Sequence, residues 1–195
     1  ICSPKGAGFL RVPRDRQGAI RPLVISHGAN SPRTDRSRFQ IEFGWTGTWD
    51  PAAMLAVPEA LRWMDSAVSG GWPEVMRRNH ALAVAAREVL CAALGMESPC
   101  PPELLGSMAS MPLPDAEVIT PSRSPLYLDP LQDRLLAESS IEVPVIPWPA
   151  PPRRLLRISA QLYNSLPQYR ALAEALRRFL SSPDISYRAR NADRL

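Results

Sequence analysis

The hydrophobic pattern of the second half of the chain alternates between helical and strand-like spacing. Apolar residues at intervals of three and four predict a long amphipathic helix over residues 73–94, which Gly95 ends. Further runs predict, in order, a strand at 106–111, a helix at 130–138, strands at 141–146 and 155–159, and a helix beginning near Ser165. This order predicts an α+β layer in which helices cover one face of a small sheet.

The first seventy residues show shorter and less regular patterns. Three runs have strand-like spacing and are separated by polar or charged loops: residues 8–12, 24–26 and 39–43. Asp50 and Pro51 then predict a helix that ends near residue 68, because aspartate is a favoured N-cap and proline a favoured first helical residue. Pro58 is expected to bend this helix.

The change of pattern near residue 70 predicts the domain organisation. A Ser-Gly-Gly break at residues 69–71 separates the two halves. We interpret residues 1–70 as the C-terminal end of a larger sheet domain and residues 71–182 as a small C-terminal domain. Residues 183–195 carry several charges and no hydrophobic period, so we expect a disordered tail.

Composition excludes several classes of protein. Apolar residues make up 45% and charged residues 22% of the 195 residues, which is typical of a globular chain. The net charge of +4 is spread along the sequence, so no nucleic-acid surface is expected. Three cysteines form no metal-binding spacing and no disulfide framework. With no long apolar run and no signal peptide, we expect a cytoplasmic protein without a metal and without a membrane span.

A single arginine, Arg157, interrupts the apolar run at residues 155–158. Charged side chains are rarely buried without a partner. One interpretation is an edge-strand arginine whose guanidinium lies in water, and the local pattern alone favours it. The alternative is a site for a bound carboxylate, because the planar guanidinium matches two carboxylate oxygens.

Four stretches, in this order, resemble one family. Residues 1–10 look like the segment that follows the Schiff-base lysine of class V aminotransferase-fold enzymes, which depend on pyridoxal 5'-phosphate (PLP). Residues 45–51 are similar to the loop before a helix in these enzymes, and residues 141–145 to their substrate-side strand. Arg157, Ile158 and Ser159, with Tyr163 and Asn164 behind them, resemble the arginine motif near their C-terminus. The sequence of these four stretches most resembles the isopenicillin N epimerase-like branch, and the resemblance extends to about residue 180.

The resemblance implies a PLP-dependent fold of type I, with an α/β architecture and active sites at the interface of a homodimer. Residues 1–70 would then end the large PLP-binding domain. The Schiff-base lysine is expected just upstream of Ile1, so this chain alone is expected to be inactive. Lys5 matches a position after that lysine and is expected to be solvated or near the phosphate.

The resemblance also assigns roles to individual residues. Arg157 resembles the arginine that binds the substrate α-carboxylate. Gly47 and Thr48 resemble the residues that reach the cofactor phosphate of the partner subunit, since glycine permits close approach of a backbone N–H and a hydroxyl donates to phosphate. The alternative for Thr48 is a polar turn before Asp50. His27 is a weaker cofactor-binding candidate, because a histidine at the end of a strand is more often structural.

The expected chemistry takes place at the α-carbon of an amino acid. The related cysteine desulfurases need a nucleophilic cysteine shortly before the arginine, and no cysteine lies between Cys100 and Arg157. Desulfuration by that mechanism is therefore disfavoured. The resemblance therefore implies an epimerase-like enzyme that acts on an amino acid or an amino-acid-derived substrate. A C–S lyase, an aminotransferase and a non-catalytic domain that lacks the lysine remain open.

Overall fold

A computed structural model describes residues 2–45, 47–116 and 129–181. The predicted tail at 183–195 lies outside the described residues. Residues 117–128, which follow the predicted strand at 106–111 and precede the helix at 130, lie outside them as well. The chain divides into two compact units, Ile1–Ala67 and Val68–Leu195.

The second unit has the order of elements that the sequence predicts. Helix α3 spans Gly71–Leu94, strand β1 Met108–Leu113, helix α4 Pro130–Ser139, strand β2 Val145–Pro147, strand β3 Arg154–Ser159 and helix α5 Leu166–Ser181. The strands form a three-stranded antiparallel sheet in the order β1-β3-β2, so β3 is central. The architecture is mixed α and β with a small sheet.

The core of this unit lies between the helices and one face of the sheet. Helix α3 packs against α5 and β1, and α4 packs against α5. In β1 and β3, buried and exposed residues alternate, as expected for strands covered on one side. The largest buried apolar side chains include Leu90, Met111, Leu135, Leu156, Ile158, Leu172 and Leu176.

Local signals fix the ends of the helices. Gly95 adopts a left-handed conformation (φ +66°) and ends α3, as the sequence predicts. The Asp129 carboxylate accepts a hydrogen bond from the Leu131 N–H and caps α4. At α5, the Gln168 side chain accepts from the Ser165 N–H over 2.9 Å, which is the glutamine half of a capping box.

A buried ion pair connects α4 to the start of β3. Asp129 is fully buried, and its Oδ1 lies 2.8 Å from Arg154 Nη1, whose side chain is 10% exposed. Arg154 also donates from Nε to the Pro114 carbonyl over 2.8 Å. These bonds hold the chain after β1, the N-terminus of α4 and the first residue of β3 together.

The described part of the first unit contains two α-helices, α1 at Arg38–Gly44 and α2 at Ala52–Ser66. The prediction of a strand at 39–43 is wrong, because Ser37 and Gln40 form a capping box that starts a helix there. Within α1, Phe39 and Phe43 stack one turn apart with ring centroids separated by 4.5 Å. The helix predicted after Asp50 and Pro51 is confirmed as α2.

The strands predicted at 8–12 and 24–26 are also wrong, because both segments are irregular. Phe9 is 94% exposed and Ile25 is 85% exposed. A strand forms only where a neighbouring strand receives its backbone hydrogen bonds, and the described part of this unit offers none. The predicted strand at 141–146 is shorter than expected and comprises only Val145–Pro147.

The Asp129–Arg154 pair gives a first testable prediction. Asp129→Asn keeps the N-cap but removes the charge that balances Arg154, so the free energy of unfolding should fall by roughly 3 kcal/mol. Denaturant unfolding followed by circular dichroism measures this change. Asp133→Asn on the same helix is the matched control, because burial and the neighbouring Asp129 raise the pKa of Asp133 and its charge therefore adds no stability. A loss below about 1 kcal/mol for Asp129→Asn would contradict the role of the pair.

Candidate functional site

Arg157 lies on the face of the small sheet that the helices do not cover. Its neighbours Leu156 and Ile158 are 0% and 1% exposed and point into the core, whereas Arg157 and Ser159 are exposed. The alternation of β3 therefore explains how an arginine fits within an apolar run. The interpretation as an edge-strand arginine is wrong in one respect, because β3 is the central strand of the sheet.

The Arg157 guanidinium has no ion pair and no hydrogen bond within the described residues. Only its backbone N–H is used, donating to the Pro144 carbonyl over 3.1 Å. Arg154, on the same strand, has its charge balanced by Asp129. The positive charge of Arg157 is thus available to a ligand.

The surroundings of Arg157 favour a carboxylate ligand. The three strands contain no acidic residue that would compete for the guanidinium. Ser110 lies directly opposite Arg157 in the register of β1 and β3, and Met108 lies opposite Ser159. Met108 is 52% exposed, so the face combines one positive charge with hydroxyl groups and apolar surface. Such a face suits an organic acid.

The segment after β3 supports the strand that carries Arg157. Asn164 Oδ1 accepts from the Gln161 N–H over 3.0 Å, which fixes the turn into α5. The Tyr169 hydroxyl donates to the Ser159 carbonyl over 2.7 Å, and burial raises the pKa of this phenol. Tyr163 is 78% exposed. The end of β3 is therefore held from the core side.

Gly47 and Thr48 lie in the first unit, in the loop before α2. Gly47 has φ +128°, a conformation that a side chain would strain. Thr48 is exposed, and its hydroxyl has no hydrogen-bond partner in the part of the chain that the structure describes. Thr46, in the same predicted motif, lies outside the described residues. The flanking Trp45 is 51% exposed and therefore is not a core residue.

His27 does not follow a strand, contrary to the sequence-based expectation. It is the first residue of a short 3-10 turn, His27–Asn30, which Ser26 caps by accepting from the Gly28 N–H. Gly28 packs so closely on the backbone of α1 that a β-carbon there would overlap the Ile41 carbonyl. His27 itself is exposed, whereas Gly28 is the residue of this turn that packs against α1.

An open groove of about 720 Å³ lies in the first unit between residues 8–10 and α1, and Phe9, Arg36, Phe39 and Phe43 are among its lining residues. None of the predicted site residues lines it. Within the described residues, no group of three histidine, cysteine or acidic side chains could hold a metal ion. No helix of the described chain is long and apolar enough to cross a bilayer.

Two polar features of the second unit were not evident from the sequence. Arg87 on α3 is 1% exposed and donates from Nη1 to the Cys100 carbonyl over 2.8 Å. Its position within an apolar helical stripe gave no sign of this bond, which depends on the fold of the loop after α3. Ser110 was missed because a serine in a short strand is unremarkable until the register places it beside Arg157.

The chain is similar in sequence to known enzymes, although no family model matches it. The chain is 33% identical over 188 residues to isopenicillin N epimerase of Amycolatopsis lactamdurans. This match covers 91% of this chain and 44% of that protein. It is 28% identical over 188 residues to isopenicillin N epimerase of Streptomyces clavuligerus, covering 90% and 44%.

Other relatives of the chain are L-cysteine desulfhydrases. The chain is 27% identical over 184 residues to the probable chloroplastic L-cysteine desulfhydrase of Arabidopsis thaliana, covering 89% of this chain and 36% of that protein. The chain spans about two-fifths of the length of these relatives. The similarity over nine-tenths of the chain confirms the resemblance that the four motifs predicted: the relatives of this chain, at 27–33% identity, are isopenicillin N epimerases and L-cysteine desulfhydrases, which are class V PLP-dependent enzymes.

Proposed function

We propose that this chain forms the C-terminal part of a PLP-dependent enzyme of fold type I that acts at the α-carbon of an amino acid or an amino-acid-derived substrate. The observation that carries the proposal is the state of Arg157, which lies on the central strand of the sheet. Its guanidinium is exposed and has no carboxylate partner among the described residues. A free amino acid presents a carboxylate of matching shape and charge. Arg157 binds that group and so fixes the position of the adjacent α-carbon.

The residues present fit the phosphate of the cofactor at the Gly47–Thr48 loop. The Thr48 hydroxyl, which has no partner among the described residues, is a donor, and Gly47 has no side chain that would block access to its backbone N–H. Bound to the enzyme, PLP supplies an electron sink that makes removal of the α-proton possible. In a homodimer these two residues serve the partner's cofactor, as the family resemblance implies.

Lys5 is the single lysine of the sequence and is exposed. It lies next to Gly6, whose φ of +101° places it in a turn. We assign the covalent attachment of the cofactor to a lysine outside these 195 residues, and Lys5 to a solvated position. The chain thus contributes the carboxylate site, and another part of the protein contributes the covalent site.

The names of the relatives favour two reactions, epimerisation and C–S lysis, which both begin with removal of the α-proton. Epimerisation returns the proton to the opposite face of the α-carbon, whereas a desulfhydrase expels sulfide from the β-carbon. The higher identity to an epimerase supports epimerisation as the main proposal. The desulfhydrase relatives support C–S lysis as the second candidate, and transamination remains a third possibility on the same scaffold.

Replacing Arg157 tests the carboxylate site. In the full-length holoprotein, Arg157→Ala should raise KM for the amino acid roughly 100-fold, because two charge-assisted hydrogen bonds are lost. Arg157→Lys should restore only part of the affinity, since an ammonium lacks the planar fork. The cofactor absorbance should be unchanged, and the free energy of unfolding should change by less than about 0.5 kcal/mol because the side chain is exposed.

Arg170→Ala, an exposed arginine on α5, is the matched control and should leave KM unchanged. An Arg157→Ala enzyme with the KM of the wild type would refute the assignment.

Borohydride reduction tests the position of the covalent site. Reduction of the full-length holoprotein should fix the cofactor to one lysine, and peptide mass mapping should find it outside residues 1–195. Lys5→Arg should retain the visible absorbance of the cofactor. Attachment to Lys5 would overturn our assignment of that residue.

Product analysis separates the candidate reactions. With L-amino acids in deuterated water, the full-length enzyme should incorporate deuterium at the α-carbon, and chiral chromatography should detect the D-enantiomer. Release of sulfide and pyruvate from L-cysteine would favour the C–S lyase, whereas conversion of an amino acid into the 2-oxo acid with the same side chain would favour the aminotransferase. Absence of α-deuterium exchange for every amino acid tested would contradict the proposed chemistry.

A further inference from the structure

We propose that Ser110 is a second hydrogen-bond donor to the carboxylate that Arg157 binds. This inference rests on the proposed function of Arg157 and extends it to a residue on a different strand. Ser110 lies on β1 and is paired with Arg157 across the β1–β3 ladder.

The hydrogen-bond pattern of β3 shows how close the two side chains lie. The Ala160 N–H donates toward β1, to the Ser107 carbonyl over 2.7 Å, whereas the Arg157 N–H donates to the other side, to Pro144. Backbone N–H groups alternate along a strand, so the Ser110–Arg157 pair exchanges no backbone hydrogen bond. In such non-hydrogen-bonded antiparallel pairs the Cα atoms are about 4.5 Å apart and side chains are at their closest.

Both side chains are on the open face. The burial of β1 alternates so that Ser110 is exposed and its neighbours Ala109 and Met111 point into the core. The Ser110 hydroxyl has no hydrogen-bond partner within the described residues. Ser37, by contrast, uses its hydroxyl as a helix cap. Ser110 therefore has a free donor beside a free guanidinium.

The chemistry of a carboxylate allows both groups to bind at once. Its two oxygens offer about four lone-pair sites, and a bidentate arginine occupies two of them. A hydroxyl next to the guanidinium reaches one of the remaining sites. Ser159, a second hydroxyl on this face, pairs with Met108 and lies two residue pairs further along the ladder. Position therefore favours Ser110 over Ser159 as the second donor.

Equilibrium binding to the full-length holoprotein tests the role of Ser110. A substrate amino acid is titrated, and binding is followed through the visible absorbance of the cofactor. Ser110→Ala should raise Kd about tenfold, the typical effect of losing one hydrogen bond to a charged group. Ser110→Thr retains the hydroxyl and suits a strand, so its Kd should stay within about threefold of the wild type. Ser98→Ala, at an exposed serine outside the sheet, should have no effect.

The carboxylate itself supplies the decisive comparison. For the corresponding amine, which lacks the carboxylate, Ser110→Ala should leave Kd unchanged. An equal loss for both ligands would overturn the inference, because Ser110 would then act on the fold or on another part of the ligand. Unchanged binding of the amino acid by Ser110→Ala, with weakened binding by Arg157→Ala, would also overturn it while leaving the proposed function intact. Unchanged binding by Arg157→Ala would instead refute the proposed function.

Discussion

The alternation of side chains along β3 is the constraint on which the candidate site depends. Leu156 and Ile158 are buried on the helix side of the sheet, and this burial fixes which face the strand presents to the core. A shift of one residue would expose both apolar side chains and bury Arg157. The hydrophobic core thus sets the orientation of the guanidinium without contacting it. The Asp129–Arg154 pair adds a second restraint, because it fixes the first residue of the strand.

The two arginines of β3 show how context decides the role of a charge. Arg154 is nearly buried, has a carboxylate partner and donates to a backbone carbonyl, so its role is structural. Arg157 is exposed and has neither kind of partner among the described residues. Removing the partner of a buried charge costs several kcal/mol, whereas an exposed charge costs little to leave unpaired. An arginine on an open face can therefore be kept ready for a ligand at little cost in stability.

Helices of the second unit were predictable because their signals are local. Apolar spacing and Gly95 define α3, and Asp129 defines the start of α4. The strand at 39–43 was mispredicted because a local capping box at Ser37 outweighs the alternation of apolar residues there. The runs at 8–12 and 24–26 have strand-like composition, but their backbone groups need partner strands that the described chain does not supply. Strand formation depends on non-local pairing, which a short pattern does not reveal.

The candidate site could be proposed from the sequence only in part. Arg157 was found from its place in an apolar run and from a family resemblance, whereas its neighbour Ser110 became visible only through the register of the sheet. The buried Arg87 remained hidden because its partner is a backbone carbonyl of a following loop. A single residue of unusual polarity can be identified from the sequence. Two residues that are neighbours across strands can be identified only when the register of the sheet is known.

The central claim is that Arg157 binds a carboxylate of the substrate, and a comparison of two ligands tests it most directly. The Kd of the full-length wild-type holoprotein for a substrate amino acid should be at least about tenfold lower than its Kd for the corresponding amino acid amide. Only the amino acid has a carboxylate whose charge the guanidinium balances, because the carboxamide group is uncharged. In Arg157→Ala this preference should vanish. A variant that still prefers the carboxylate to the same extent would contradict the account.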